Sequence, residues 1–332
     1  MNKRNYKIAF DVQNKEYTLN AASLAAYDFA KENPNFHIYI IGDEAKITQV
    51  IKPIANISII NNPEIATKSE TLRDVHRKNN SMNSALDLLA AKKVDAVLSP
   101  AESSLIISSS FLKLETIKGV RRPGFMPSIP TIGNLPILMV DVGANTNVQA
   151  QFLYQWANVA SIFYQSLYGL SDPKVGIINI GTEKRKGLEF HREAYQMMAE
   201  DSKINFIGFV EPQHLLEGDC QIFVCDGYAG NLVLKTLEGA TLSIFKLFKQ
   251  QIKSSLKSKI GGILIKDKFN DLKEKFDYRN VGAAWIMGID GIILKTHGNS
   301  NKLAFLGALN QVKIALDTQV LEKVKEKLDE NQ

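Results

Sequence analysis

Short, nearly continuous apolar runs recur along the chain: YKIAFD (6–11), FHIYIIGDE (36–44), ISII (57–60), VDAVLS (94–99), ILMVDVGAN (137–145), VGIINIGTE (175–183), INFIGFVE (204–211), IFVCDG (222–227) and IILKTHG (292–298). Most are separated by segments of helical period, as in Leu19–Glu32, Met82–Lys92, Phe152–Tyr168 and Leu188–Glu200. This alternation predicts a doubly wound α/β protein with a mainly parallel sheet. Continuous rather than alternating hydrophobicity in the runs predicts strands covered on both faces.

Nearly every run ends in Asp, Asn, Gly, Thr, Glu or His. Open α/β sheets bind ligands beyond the carboxyl ends of their strands, so one polar cleft is expected there. Arg121–Pro136, with four prolines and two glycines, reads as a crossover between two lobes. From Asn231 to about Phe276 the pattern changes. Phe248, Ile252, Leu256 and Ile260 recur every four residues, with Lys249, Lys253 and Lys257 among the intervening cations. A long basic amphipathic helix is expected, broken at Gly261-Gly262, with a dimer arm, a contact with anionic membrane or simple core packing as its possible uses.

The 332 residues suffice for one large or two modest domains, and 45% hydrophobic with 23% charged residues is ordinary for a soluble globular protein. A net charge of +5 is too small to argue for nucleic acid. Cys220 and Cys225 give neither a disulfide framework nor zinc-ligand spacing, so buried thiols and no metal are expected. No run reaches the roughly 20 apolar residues of a spanning helix, and the N-terminal residues lack the apolar core of a secretory signal, so a cytoplasmic location is expected.

Four motifs carry candidate chemistry. In DVGAN (141–145), Gly143 permits close backbone approach and Asn145 offers donor and acceptor. In GTEKRKG (181–187), Gly181 and Glu183 precede Lys184, Arg185 and Lys186 at the entry to a helix, where cations are unfavourable unless an anion offsets the dipole. CDGYAGNLVLKTLEG (225–239) places Asp226, Gly230 and Asn231 at a strand-to-helix junction, with Lys235 following. KTHGNS (295–300) ends the last run with Lys295, His297 and Ser300. Together they describe a site for a phosphate-like anion with donors for a developing oxyanion and no metal constellation.

At these residues the chain resembles the bacterial phosphate acyltransferases of phospholipid synthesis. DVGAN, GTE-x-x-KG, NFIG-x-VE, CDG-x-x-GN-x-x-LK-x-x-EG and K-x-HG-x-S occur in the family's order. The resemblance implies a two-lobed fold similar to isocitrate dehydrogenase and phosphotransacetylase, spanning residues 1–332 as a single domain. It implies transfer of a long-chain acyl group from acyl carrier protein to inorganic phosphate, without a cofactor. It further implies a homodimer peripherally attached to the inner face of the membrane, with residues 232–276 as the inserted arm. At the positions so matched, residue chemistry assigns Lys186 and Lys295 to phosphate charge, and Asn145, Asn231 and Ser300 to hydrogen-bond donation. His297 is expected to orient the nucleophile or protonate the leaving sulfur, and Asp226 to fix its loop.

Two stretches depart from the family pattern. The first run continues into DVQNKE (11–16) in place of a glycine-rich Asp-Ala-Met-Gly-Gly-Asp loop, and SPAESSL (99–105) replaces Ser-Ala-Gly-Asn-Thr-Gly-Ala. Glu102 is expected to stand at a helix N-terminus and to turn away from bound phosphate. The departures leave open an active acyltransferase with a remodelled pocket, or a catalytically weak relative acting as a membrane-associated, carrier-binding scaffold.

Overall fold

A computed structural model describes residues 4–67, 74–276 and 283–330. Among them, eleven strands form one sheet in the order β3-β2-β1-β4-β11-β10-β5-β6-β9-β7-β8. The strands are β1 (Tyr6–Asp11), β2 (Phe36–Gly42), β3 (Ile57–Asn61), β4 (Ala96–Ser99), β5 (Gly124–Ile129), β6 (Ile137–Val140), β7 (Val175–Ile178), β8 (Phe206–Val210), β9 (Ile222–Val224), β10 (Ala283–Met287) and β11 (Ile292–Thr296). The continuous apolar runs are explained by burial: every residue of β4, β6, β7 and β9 is buried. On one face lie α1 (Glu16–Glu32), α5 (Ala150–Tyr168), α6 (Glu189–Glu200), α10 (Lys302–Asp317) and α11 (Val320–Asp329), joined in one apolar cluster through Leu19, Trp156, Met198, Phe305 and Val324. On the other, α3 (Ser81–Ala90) and α4 (Ser103–Lys113) contribute Met82, Leu86, Leu105 and Ile106.

Sheet direction decides where a site can form. β3, β2, β1, β4 and β11 are mutually parallel, as are β6, β9, β7 and β8. Three antiparallel pairings separate the sets: β11 with β10, β10 with β5, and β5 with β6. An odd number of reversals points the two parallel halves in opposite directions, so their carboxyl ends lie on opposite edges of the sheet. The single cleft expected from strand-end polarity is therefore two separate sets of strand ends. A helix must connect them if they are to act together.

The Arg121–Pro136 stretch is not a bare crossover, because it contains β5, paired on both sides in the middle of the sheet. Its prolines hid it, since proline lacks the donor that a ladder needs. Pro127 is opposite Ala284 of β10, while pairing with β6 begins one residue later, at Ser128.

The basic segment also differs from expectation. α7 runs unbroken over Gly227–Lys253, followed by α8 (Leu256–Leu264) and α9 (Lys266–Phe276). The break falls at Ser254-Ser255, where the Ser255 hydroxyl caps α8 by accepting from Ser258 N at 3.0 Å. Gly261 and Gly262 lie inside α8. A Cβ on Gly262 would stand 2.4 Å from Ile252 Cγ2, so the glycine serves the close crossing of α7 and α8. Leu256 and Ile260 consequently leave the α7 stripe and are 79% and 64% exposed.

Candidate active site

α7 connects the two strand-end sets. Asp226 caps it, its Oδ1 accepting from Tyr228 N and Ala229 N, both at 3.0 Å. Gly230 packs beneath the β6 loop so closely that a Cβ would lie 2.0 Å from Asp141 O. From this anchor the helix crosses the face of β5 and β10. Asn231, Lys235 and Glu238 stand four and three residues apart, which places them on one side of a helix. That side meets Lys295 and His297 from the end of β11, enclosing a cavity of about 200 Å³. Its remaining wall is largely apolar, including Phe125, Pro127, Ile129, Leu234 and Leu237.

Electrostatics in the cavity favour an incoming anion. Burial first, and then the neighbouring Lys235 charge, lower the Lys295 pKa to about 8. Burial, with Lys295 and Lys235 nearby, lowers His297 to about 4, so its imidazole is neutral at pH 7. Glu238 partly balances the lysines: its Oε2 is 2.7 Å from Lys235 Nζ, and its Oε1 is 3.9 Å from His297 Nε2. The two lysines converge beside a neutral imidazole, and with the Lys295 pKa depressed by burial a nearby anion would favour its charged form.

The other expected residues stand elsewhere. Asn145 Nδ2 donates to Pro123 O at 2.7 Å and to Asp141 Oδ2 at 3.0 Å, so its donors are committed to the loop. Asp141 organises that loop. Fully buried, it accepts from Phe125 N, Ala144 N and Asn145 N, and burial raises its pKa. Its importance was hidden in the sequence because DVGAN drew attention to its glycine and asparagine. Gly181, Glu183 and Lys186 cluster at the end of β7 and do not line the cavity. Lys186 Nζ pairs with Glu183 Oε2 at 2.8 Å and lies over Gly181, where a Cβ would meet it at 2.4 Å. Nor do these cations enter a helix. α6 starts later, at Glu189, with an acidic first turn.

Ser300 is fully buried, with no partner for Oγ among the described residues, and does not line the cavity. Lys249, Lys253 and Lys257 are exposed along α7 and α8.

A second hollow, about 620 Å³, adjoins the first, and Ser103 and Lys295 line both. Asp11, Ser81 and Glu102 face it. Glu102 thus does not turn aside: it lines the hollow and acts on Lys295, raising that lysine's pKa. It occupies the N-cap position of α4 but makes no side-chain capping bond. Asp11 is buried, accepts from Ser99 Oγ at 2.6 Å, and is pushed by burial to a pKa of about 6. Among the described residues, no cluster of three or more His, Cys, Asp or Glu side chains could hold a metal.

Residues 6–323 match the family described as fatty acid synthesis protein. The phosphate acyltransferase of Mycoplasmopsis pulmonis is 42% identical over 323 residues, covering 97% of this chain and 99% of that protein. That of Clostridium tetani is 35% identical over 328 residues, covering 97% and 98%. Among solved structures, a phosphotransacetylase from Streptococcus pyogenes superposes with a TM-score of 0.60 at 16% identity, covering 93% of this chain and 94% of that one. The EutD phosphotransacetylase from Staphylococcus aureus gives 0.59 at 18% identity, covering 95% and 94%. The latter two likenesses show the fold. The chain belongs to the fatty acid synthesis protein family, the family of the phosphate acyltransferases.

Proposed function

We propose that the protein transfers a long-chain acyl group from the thiol of acyl carrier protein to inorganic phosphate in phospholipid synthesis. The observation that carries this reading is the pairing of Lys235 and Lys295 beside neutral His297 and Asn231, in a cavity whose remaining wall is largely apolar. Hydrogenphosphate rests on the two lysines with one oxygen directed at the thioester carbonyl. Binding then supplies much of the rate by positioning. Attack forms the C–O bond and a tetrahedral oxyanion, which Asn231 Nδ2 stabilises by donation. Collapse breaks the C–S bond and releases acyl phosphate. The phosphate proton passes through the His297 imidazole to the departing thiolate, so atoms and charge balance. Because burial disfavours the charged ring, His297 passes the proton on in concert, taking one at one ring nitrogen as it releases another to the sulfur, and does not store it as imidazolium.

Lys186 is engaged with Glu183 outside the cavity, and this reading gives it no contact with the phosphate. Asp226, Gly230 and Asn145 hold α7 and the β6 loop in place. Ser300 supports the turn that carries His297, its N–H donating to His297 O at 3.1 Å.

The same reading gives α7–α9 a role. Ile244, Ile263 and Leu264 are 66%, 72% and 81% exposed among exposed lysines, an apolar and basic surface suited to a second subunit and to anionic lipid. No helix of the described residues is long and apolar enough to cross a membrane; in this reading the arm attaches peripherally, on the cytoplasmic face. The test is conversion of labelled phosphate to hydroxylamine-sensitive acyl phosphate by purified protein and palmitoyl carrier protein. Carrier binding without product would favour the scaffold reading instead.

A further inference from the structure

Glu238 is out of keeping with a cavity built to take an anion. Among the described residues, the titratable side chains lining that cavity are Lys235, Glu238, Lys295 and His297. Ser103 and Asn231 add neutral donors to the same wall. Glu102 acts on Lys295 from the adjoining hollow and does not line this cavity, so Glu238 is the carboxylate that a bound anion meets.

Its pairing with Lys235 differs from an ordinary i,i+3 pair on a helix surface. The Glu238 side chain is 12% exposed and that of Lys235 57%, so the carboxylate is the end drawn inside. Desolvating a carboxylate costs more than an exposed pair returns, so surface stabilisation alone does not account for its place. Oε2 accepts from Lys235 Nζ at 2.7 Å, and Oε1 lies 3.9 Å from His297 Nε2, beyond hydrogen-bond length. A carboxylate accepts at about four lone-pair positions and donates at none, which leaves capacity for a further donor.

An anion seated on Lys235 and Lys295 therefore faces an acceptor-only group. Oxygen lone pairs turned towards that carboxylate are repelled, whereas a hydroxyl turned towards it forms a charge-assisted hydrogen bond. Hydrogenphosphate carries such a hydroxyl at neutral pH. Sulfate, with the same tetrahedral shape and charge, carries none. We propose that Glu238 is the specificity-determining residue for the acyl acceptor, its carboxylate accepting the P–OH of hydrogenphosphate and excluding tetrahedral anions without a proton, such as sulfate. The inference rests on the acyl-transfer reading and adds to it the group that selects the acceptor. The lysines supply attraction that both anions share, and Glu238 supplies the difference between them. The selected proton is also the one that the departing thiolate needs, and Oε1 holds it beside the His297 ring that relays it.

The experiment follows palmitoyl phosphate formation from palmitoyl carrier protein, with sulfate and arsenate as competitors of phosphate. Arsenate resembles phosphate in shape and keeps one proton near neutral pH. In the wild-type protein arsenate should compete at concentrations near the phosphate KM, and sulfate should need about 100-fold more. Glu238→Gln removes the charge, keeps the shape and gains an amide that donates to sulfate. In this variant the ratio of the sulfate inhibition constant to the phosphate KM should fall by about tenfold or more, while the corresponding arsenate ratio changes little. Calorimetric titration of the three anions into both proteins makes the same comparison without turnover, and thermal melting verifies folding. Sulfate competing in the wild-type protein as strongly as arsenate overturns the proposal, whether or not the variant folds. A folded variant that tightens sulfate and phosphate equally also overturns it, since Glu238 would then be only a counter-charge to the lysines. A wild-type protein that binds phosphate and arsenate in preference to sulfate yet forms no acyl phosphate would instead refute the acyl-transfer reading and leave the anion selection standing.

Discussion

Lys295, proposed to hold phosphate, shows at the scale of one residue how burial and a neighbouring charge depress a lysine's pKa. With its folded pKa near 8 and a free-lysine value of about 10.4, the folded protein carries this charge at a disadvantage below pH 8. The sign follows: its unfavourable contribution to stability is full below about pH 8 and is relieved as pH rises towards the unfolded value. Bound phosphate favours the charged form, so kcat/KM for phosphate should fall as pH rises through about 8. Lys235→Met removes the adjacent charge and should move that alkaline limb to higher pH while weakening phosphate binding. A limb that stays in place would show that Lys235 does not act on Lys295.

Lys295 and His297 were singled out in the sequence as polar residues of the last run, and Asn231 and Lys235 as residues of the strand-to-helix junction and the helix that follows it. Glu238 and Ser103 had no assigned role there. Glu238 acquires one only because α7 carries it to β11, and Ser103 only because α4 starts between the two hollows. Asn145 read as a free donor because nothing in DVGAN shows that the Pro123 carbonyl, 22 residues earlier, accepts its N–H hydrogen bond.

The element that matters most is α7, since it joins strand ends pointing to opposite edges of the sheet. Its placement depends on contacts at its first turns. Gly230→Ala forces a Cβ to 2.0 Å from Asp141 O and 2.7 Å from Cys225 Sγ, both rigidly held. Overpacking of this kind costs roughly 1–3 kcal/mol. It should lower the unfolding midpoint in urea, and also lower kcat by displacing Asn231 and Lys235; a variant unchanged in both would show that α7 is not positioned there. The helices and most strands were legible from apolar period. β5 was not, because Pro123, Pro127 and Pro130 disguise it, and β10, within a stretch to which no element was assigned, has no motif of its own. Opposed strand directions were also invisible, because run-end polarity reports where a strand ends and not which way it points.

At the scale of the whole molecule, the apolar and basic surface of α7–α9 is the largest departure from a self-contained globule. Covering a large apolar side chain contributes about 1.5–3 kcal/mol, which is the gain that the proposed contact with lipid or a second subunit would bring to each such residue of the arm. Replacing Lys249, Lys253 and Lys257 with Gln should reduce co-sedimentation with anionic vesicles and steepen its loss with salt, while neutral vesicles show little difference. Unchanged sedimentation would leave the arm to subunit contact alone. Its basic character was evident from the lysine spacing. The Ser254-Ser255 turn was not, since serine marks a cap only once the chain is seen to bend.

The central claim is that phosphate is held by Lys295 and its neighbours for attack on an acyl thioester. The most direct measurement is the rate of labelled acyl-phosphate formation from palmitoyl carrier protein by the wild-type protein and by Lys295→Met, with folding of both verified by thermal melting. Loss of a charged group that grips the reacting phosphate predicts a fall of about 10²–10³-fold in kcat/KM for phosphate. A folded Lys295→Met variant forming acyl phosphate at the wild-type rate would contradict the account.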